Sequence, residues 1–358
     1  MMLGLSPVAL PSVAQPPQQK QKLSMFTQRT RQLYRHRTGI AATVIVALTM
    51  VGCSDDASDF AGSVGGRTAE VTIAFIGDQG WEPPGGRNGP RAVLQLIKEE
   101  GADAVMHQGD LDYLDDPVAW EAQIDDVLGP DFPYFVSVGD HDVNRWAGNG
   151  GYQDRMERRL ARLGIGWDGE LGVKAAVEFR GVYIVFGAPD LFGTDPTVYA
   201  EFFRDRLAAD ASAWSICSWH RGQRLMQVGG KGDETGWDVY ERCREQGAII
   251  ATGHEHSYSR THLLSDMESQ TIASTSDTLE VRTGESFVFV SGLAGTSIRE
   301  QELAGDWWAA IYTSDQGANF GALFGAFNID GQSDLAHFYF KDIDGRIADE
   351  FWVKTPER

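Results

Sequence analysis

Positive charge is scarce in this 358-residue chain: 31 Lys and Arg stand against 51 Asp and Glu, for a formal charge of −20. A surface so acidic repels a phosphate backbone, which excludes nucleic acid as a stable partner. Cysteine is scarcer still, with only three, so the chain is no disulfide scaffold. Long apolar runs are missing too. The most apolar stretch, Ile40 to Val51, has twelve residues, whereas a helix that spans a bilayer needs about 20. No repeat of solenoid period is visible. What the chain does have is apolar mass: 42% hydrophobic and 11% aromatic residues suffice to bury a large core and exceed what a disordered chain carries.

The few basic residues are unevenly placed. Lys20, Lys22, Arg29, Arg31, Arg35 and Arg37 precede Cys53 and no acid does, so the chain beyond Cys53 is more acidic than the total. A basic stretch that runs into the apolar segment and then into small residues reads as an export signal. Its end, Met50-Val51-Gly52-Cys53, resembles the lipobox of bacterial lipoproteins, which implies cleavage before Cys53 and lipid on that residue. A plain secretory signal and a membrane anchor are the alternatives. All three export the domain, either lipid-anchored on the periplasmic or outer surface or secreted, with membrane contact only through the N-terminal lipid. Residues 1–52 are the leader, with Met25 as a candidate true start, 53–68 a polar linker, and 69–358 the folded domain. With Cys53 lipidated, Cys217 and Cys243 remain, either paired or as two buried thiols.

Along the folded part, short apolar runs alternate with amphipathic stretches. Val71 to Ile76, Ala104 to His107 and Tyr134 to Val138 read as buried strands, separated by helices over Arg91 to Glu100 and Val118 to Val127. This is an α/β layout. A hairpin around Arg180-Gly181 joins Val173–Phe179 to Val182–Phe186. A helix (Val198 to Ala208), a strand (Ala213 to Trp219), a helix (Trp237 to Glu245) and a strand (Ala248 to Thr252) follow. The last part turns antiparallel, with strands at Phe287–Val290, Phe320–Asn328, Leu335–Phe340 and Ile347–Val353, the turns marked by Asp330-Gly331 and Asp344-Gly345. Neither turn has the alternating acids and distal Glu of a calcium loop. Ser265 to Glu285, rich in Ser, Thr and Asp, reads as a long surface loop, and Trp307, Trp308, Tyr312 and Phe320 read as core.

Four strand candidates end in Gly followed by a metal-capable side chain: Gly77-Asp78, Gly109-Asp110, Gly139-Asp140 and Gly253-His254. A fifth ends in Trp219-His220. Ligands of an α/β sheet gather at the carboxyl ends of its strands, where Gly lets the chain turn and aim the next side chain into the crevice. Tyr113, His141, Asp142 and His256 stand beside these ends. Each feature alone is common; the joint occurrence points to one metal centre.

Taken together, the blocks Gly77-Asp78-Gln79-Gly80, Gly109-Asp110-Leu111-Asp112-Tyr113, Gly139-Asp140-His141-Asp142 and Gly253-His254-Glu255-His256-Ser257-Tyr258, with the isolated His220, resemble the calcineurin-like metallophosphoesterases. Tyr113 points within them to the purple acid phosphatases. The resemblance implies a two-sheet β-sandwich flanked by helices and two metal ions, Fe(III) plus a divalent Fe, Zn or Mn. It places Asp78, Asp110, Tyr113 and His256 around the first ion, and Asp110, Asp140, His220 and His254 around the second, with Asp110 as bridge. It implies a metal-bound hydroxide as nucleophile on a small phosphate monoester, with His141 as the acid or phosphate-binding group. Cation pairs of this kind ionise water and neutralise a phosphoryl group, so the chemistry is self-consistent.

The chain departs from the family pattern at Asp140, where an Asn is expected; the extra charge should tighten cation binding and weaken the acidification of water. Arg221, next to His220, is a candidate phosphate clamp or else an ordinary ion-pair partner on an acidic surface. Two rivals remain: a phosphodiesterase on the same site, and a noncatalytic binding lipoprotein that keeps the fold.

Overall fold

The computed structural model describes residues 69–356, so the leader, Met25, Cys53 and the linker lie outside the described residues. Among the described residues no helix is long and apolar enough to cross a membrane.

Strand propensity and burial agree in Val71–Ile76, a β-branched and aromatic run that is almost wholly buried. It lies inside a seven-stranded sheet in the order Thr278–Glu280, Ile347–Lys354, Leu335–Asp342, Gly321–Phe327, Val71–Ile76, Ala104–His107, Tyr134–Val136. A second, eight-stranded sheet has the order Trp308–Tyr312, Tyr258–Thr261, Val288–Ser291, Ile249–Thr252, Trp214–Ser218, Val182–Gly187, Lys174–Phe179, Asp168–Glu170. The site-bearing strands are parallel within each sheet. The predicted hairpin is present, with positive φ at both Arg180 (50°) and Gly181 (86°), the backbone that a tight two-residue hairpin turn requires.

Aromatic side chains fill the space between the sheets: Phe75 meets Phe289 edge-on at 5.2 Å, Trp214 meets Phe327 at 5.2 Å, and Tyr258 stacks on Phe340 at 4.4 Å. A buried ion pair also bridges them. Arg260 donates through Nε and Nη2 to Asp349 at 2.7 and 3.0 Å, Tyr258 Oη donates to the same carboxylate at 2.7 Å, and the guanidinium lies 4.0 Å over Phe351. With both carboxylate oxygens and the ring face occupied, the buried charges are compensated. Helices cover the outer faces, Pro90–Glu99 and Tyr152–Arg162 on the first sheet, Pro196–Ala208 and Trp237–Glu245 on the second. Three helices start at a Pro, and Asp116 and Asp195 cap two of them by accepting from the next turn's N–H groups.

The expectation of a loop over Ser265 to Glu285 is corrected. Leu263–Asp266 pairs with Thr271–Ser274, and Thr278–Glu280 forms the edge of the first sheet beside Ile347–Lys354. These edge strands bury little side chain, so their polar composition carries no alternating apolar signal. The helix Tyr152–Arg162 has no counterpart among the sequence-predicted elements, because Arg159 on its inner face reads as surface yet is fully buried, held by the carbonyls of Pro130 and Phe132 and by Asp125. The strand ending at Val138 stops at Val136.

Cys217 and Cys243 form a disulfide that ties the strand Trp214–Ser218 to the helix Trp237–Glu245. Their separation of 26 residues sets the chain entropy that the link removes from the unfolded state, about 3.5 kcal/mol. Cys243→Ser is therefore expected to lower unfolding free energy by about that amount in denaturant titrations, and reductant should have no further effect on the variant.

Candidate metal centre

The strand ends converge through close backbone contact. Asp78 N–H donates to Gly109 O, Gln79 N–H to Asp110 O, and Gly253 N–H to His220 O, each within 3.1 Å. A Cβ on Gly139 would meet the backbone nitrogen of Asp110 at 2.1 Å, and one on Gly253 would meet Gln108 O at 2.8 Å. The glycines are thus needed mainly for approach. The turning itself falls on the functional residues: φ is 58° at Asp78, 57° at Asp110, 59° at Tyr113 and 69° at His254. This corrects the expectation that glycine makes the turn, which holds only at Gly109, with φ of 89°. Non-glycine residues in this region are strained by about 1–2 kcal/mol each, so tertiary packing holds them there.

All seven expected ligand residues come together. On one side Tyr113 Oη lies 3.0 Å from Asp78 Oδ1 and 3.0 Å from His256 Nε2, and His256 Nε2 lies 3.3 Å from Asp78 Oδ1. On the other, Asp110, Asp140, His220 and His254 each offer a ligand atom, all within 4.8 Å of one another. Asp110 stands in the second group, 3.3 Å from His220 Nε2, and near enough to the first that, after burial and Asp78, its charge helps push the Tyr113 phenol up.

Each imidazole is held by the nitrogen that faces away from the cluster. His220 Nδ1 meets Gln108 O at 2.6 Å and His256 Nδ1 meets Ser297 Oγ at 2.5 Å, while His254 Nε2 lies 3.1 Å from Glu234 Oε2 as an ion-pair contact without hydrogen-bond alignment. Such partners set ring orientation and ligand basicity. Asp142 locks two loops together by accepting from the N–H groups of Asp110, Leu111 and Gly139 at 2.8–3.0 Å. Burial, with the charge of Asp110 beside it, pushes its carboxyl up.

Electrostatics fit a cation. Burial opposes ionisation of Asp78 and Asp140, yet His256 beside the first, and His220 and His254 beside the second, hold both carboxyls well below the ordinary range. Burial and the charges of Asp78 and Asp110 push the Tyr113 phenol far up, so ionising it requires a strong positive charge close by. Asp140 Oδ1 is buried without an aligned hydrogen-bond donor, 3.1 Å from His254 Nδ1 and 3.2 Å from His220 Nε2. An orphaned acceptor among imidazole nitrogens is a donor set for a metal ion, and mixed carboxylate and imidazole ligands suit iron, zinc or manganese.

His141 stands at the rim. Its side chain is 52% exposed, Nε2 is 4.0 Å from both Asp110 Oδ2 and Asp140 Oδ2, and the ring lies 4.5 Å from that of Tyr113. Arg221 Nε is 3.5 Å from Asp140 Oδ1 and its Nη1 3.3 Å from Asp190 Oδ2, so the guanidinium offsets the charge that Asp140 adds. His107 is buried outside the cluster, where Nδ1 accepts from Gly109 N–H and burial pushes its pKa down to about 3. Sequence reasoning missed Glu234, Ser297 and Arg299. Arg299 donates through Nη1 to His254 O and Glu255 Oε2, both at 3.2 Å. No spacing signals these three residues, since they reach the site from loops far along the chain.

The calcineurin-like phosphoesterase family model matches residues 71–258. Among solved structures, a purple acid phosphatase isolated from yellow lupin (Lupinus luteus) seeds is similar at a TM-score of 0.61 and 18% identity, covering 80% of this chain and 54% of that one. The chain therefore spans little more than half the length of the lupin protein. The GAP50 anchor of the inner membrane complex of Plasmodium is similar at a TM-score of 0.52 and 11% identity, covering 81% of this chain and 90% of that one. Comparison with curated proteins returns no match.

Asp110 offers a ligand atom to the cluster whereas Glu234 only backs His254, so Asp110→Ala should abolish metal retention by elemental analysis and Glu234→Gln should weaken it, about 10- to 100-fold. In thermal unfolding, a divalent ion at about 100 times its Kd should stabilise the wild type by about 2.7 kcal/mol and Asp110→Ala not at all.

Proposed function

Because the chain belongs to the calcineurin-like phosphoesterase family, we propose that it hydrolyses phosphate monoesters at a dinuclear centre, as an exported protein held to a membrane by lipid on Cys53. The observation that carries this reading is the meeting of Asp78, Tyr113 and His256 with Asp140, His220 and His254 across the shared Asp110. Bound cations supply the Lewis acidity that ionises water near neutral pH and offsets phosphoryl charge. The chain's own groups do the rest. Asp78, Tyr113 and His256 with Asp110 hold the first ion, and Asp140, His220 and His254 with Asp110 hold the second. A trivalent iron in the first position is the cation whose charge best suits the Tyr113 phenol, with divalent iron, zinc or manganese in the second.

His141 is half exposed beside the centre and anchored by its own backbone N–H, which donates to Asp110 Oδ1 at 3.0 Å. Its Nε2 faces the space over Asp110 and Asp140, where an imidazolium can bind a phosphate oxygen or protonate the departing alkoxide. Arg221 fits better as the counter-charge of Asp140 than as a free phosphate clamp, since it lies between Asp140 and Asp190 and donates to the latter. The binding-module alternative draws on the neighbour described as an anchor; the complete ligand set weighs for hydrolysis.

The enzyme reading is tested with protein purified aerobically with iron. It should cleave an aryl phosphate monoester faster than the matching diester and be pink to violet, and Tyr113→Phe should lose the colour while keeping the fold by circular dichroism. A fully iron-loaded, colourless protein that cleaves neither ester would overturn it. The lipid reading is tested separately in a bacterial host, where Cys53→Ser should move the protein from the membrane to the soluble fraction. An uncleaved, unmodified N-terminus on membrane-bound wild type would refute that part alone.

A further inference from the structure

Arg299 lies in a segment that the family match does not reach, since that match ends at residue 258. The segment follows the strand Val288–Ser291 and leans on the metal centre: Ala294 N–H donates to Gly77 O, Thr296 N–H to Asp78 O, and Arg299 N–H to His256 O. Two of its side chains meet His256 from opposite ends of the ring. Ser297 Oγ takes Nδ1, and Arg299 Nη2 lies 3.4 Å from Nε2.

The guanidinium is held from behind. Nη1 donates to His254 O and to the buried carboxylate of Glu255, the residue between the two histidines in sequence. Nη2 has a weak partner, because 3.4 Å is long for a hydrogen bond and Nε2 is the nitrogen that would turn to a cation. Once Nε2 is used in that way it can accept nothing from Nη2. An anchored guanidinium then keeps free N–H groups beside His256, and its side chain is 37% exposed. Among the described residues it is the one cation on the wall of a depression of about 410 Å³ that Glu255, Glu300 and Glu302 otherwise make acidic, so a phosphate would meet it from the side of the metal centre. Glu255 offsets the repulsion between this cation and a metal ion. The other guanidinium near the centre, Arg221, lies between two carboxylates, with Nη1 donating to Asp190 at 3.3 Å and Nε 3.5 Å from Asp140 Oδ1 without hydrogen-bond alignment.

We infer that Arg299 binds the substrate's phosphoryl oxygens and selects the dianionic group of a monoester over the monoanionic group of a diester. This rests on the phosphoesterase reading above. The physical reason is charge: a planar guanidinium can pair with two free oxygens of either ester, but the monoester's oxygens carry two negative charges and the diester's only one, so the diester returns less. A monoester has its second pKa near about 6, so the discrimination is greatest above neutral pH.

The test compares wild type, Arg299→Ala and Arg299→Lys as full-length, metal-loaded protein above pH 7. Elemental analysis should find both ions in all three. Arg299→Ala should lose about 10- to 100-fold in kcat/KM for an aryl monoester and lose inhibition by inorganic phosphate to a similar extent, while the diester rate changes less. Arg299→Lys should recover part of both. An unchanged monoester-to-diester ratio with unchanged phosphate inhibition would overturn the inference, and so would loss of metal from Arg299→Ala, which would make Arg299 a support of His256 only. If the wild type cleaves neither ester, the parent reading fails; calorimetric binding of inorganic phosphate to wild type and Arg299→Ala then decides the role of Arg299 without turnover.

Discussion

Asp78, Asp110 and Asp140 are drawn together at the edge of a core that excludes water, and their mutual repulsion must be met by positive charge before the site can persist. The protein meets part of it with imidazoles: His220 is raised by the carboxylates around it, and those carboxylates are lowered in return. The remainder is room for cations. Everything near the cluster serves this constraint, from the left-handed backbone at Asp78, Asp110, Tyr113 and His254 to the buried partners that orient each ring.

The two-sheet architecture makes such crowding possible. Four of the seven candidate ligands follow parallel strands of the first sheet and three follow strands of the second, so neither sheet builds the site alone. The antiparallel half contributes no ligand, yet it is not passive. Asp349, on the strand Ile347–Lys354, holds Tyr258 and Arg260 just beyond the last ligand histidine. The loop after Val288–Ser291 supplies Ser297 and Arg299 to His256. Site geometry and core packing are therefore coupled: each ligand group draws on both sheets, so loosening the contact between sheets would pull each group apart.

Asp140 shows how a local change of charge is absorbed. A carboxylate where the family pattern has an amide adds a negative charge, and Arg221, next to His220, lies against it while Asp190 holds the other end of the guanidinium. The neighbourhood thus carries its own compensation within three residues' reach. The lupin and Plasmodium neighbours share the fold at low identity and say nothing about such a pair.

The sequence by itself determined the parts of this protein that depend on short-range pattern. Buried β-branched runs such as Val71–Ile76, a turn at Arg180-Gly181, and Gly-Asp or Gly-His at strand ends are local events, and their residues announced the layers and which side chains gather at the strand ends. What depends on distant residues was invisible. Glu234 reaches His254, and Arg299 reaches His256 and Glu255, with nothing in their own surroundings to distinguish them from surface charge. The buried Arg159 and the polar edge strands Thr271–Ser274 and Thr278–Glu280 misled for a related reason: hydrophobicity reports what a side chain prefers, whereas burial and pairing are decided by which partners the folded chain brings within hydrogen-bonding distance.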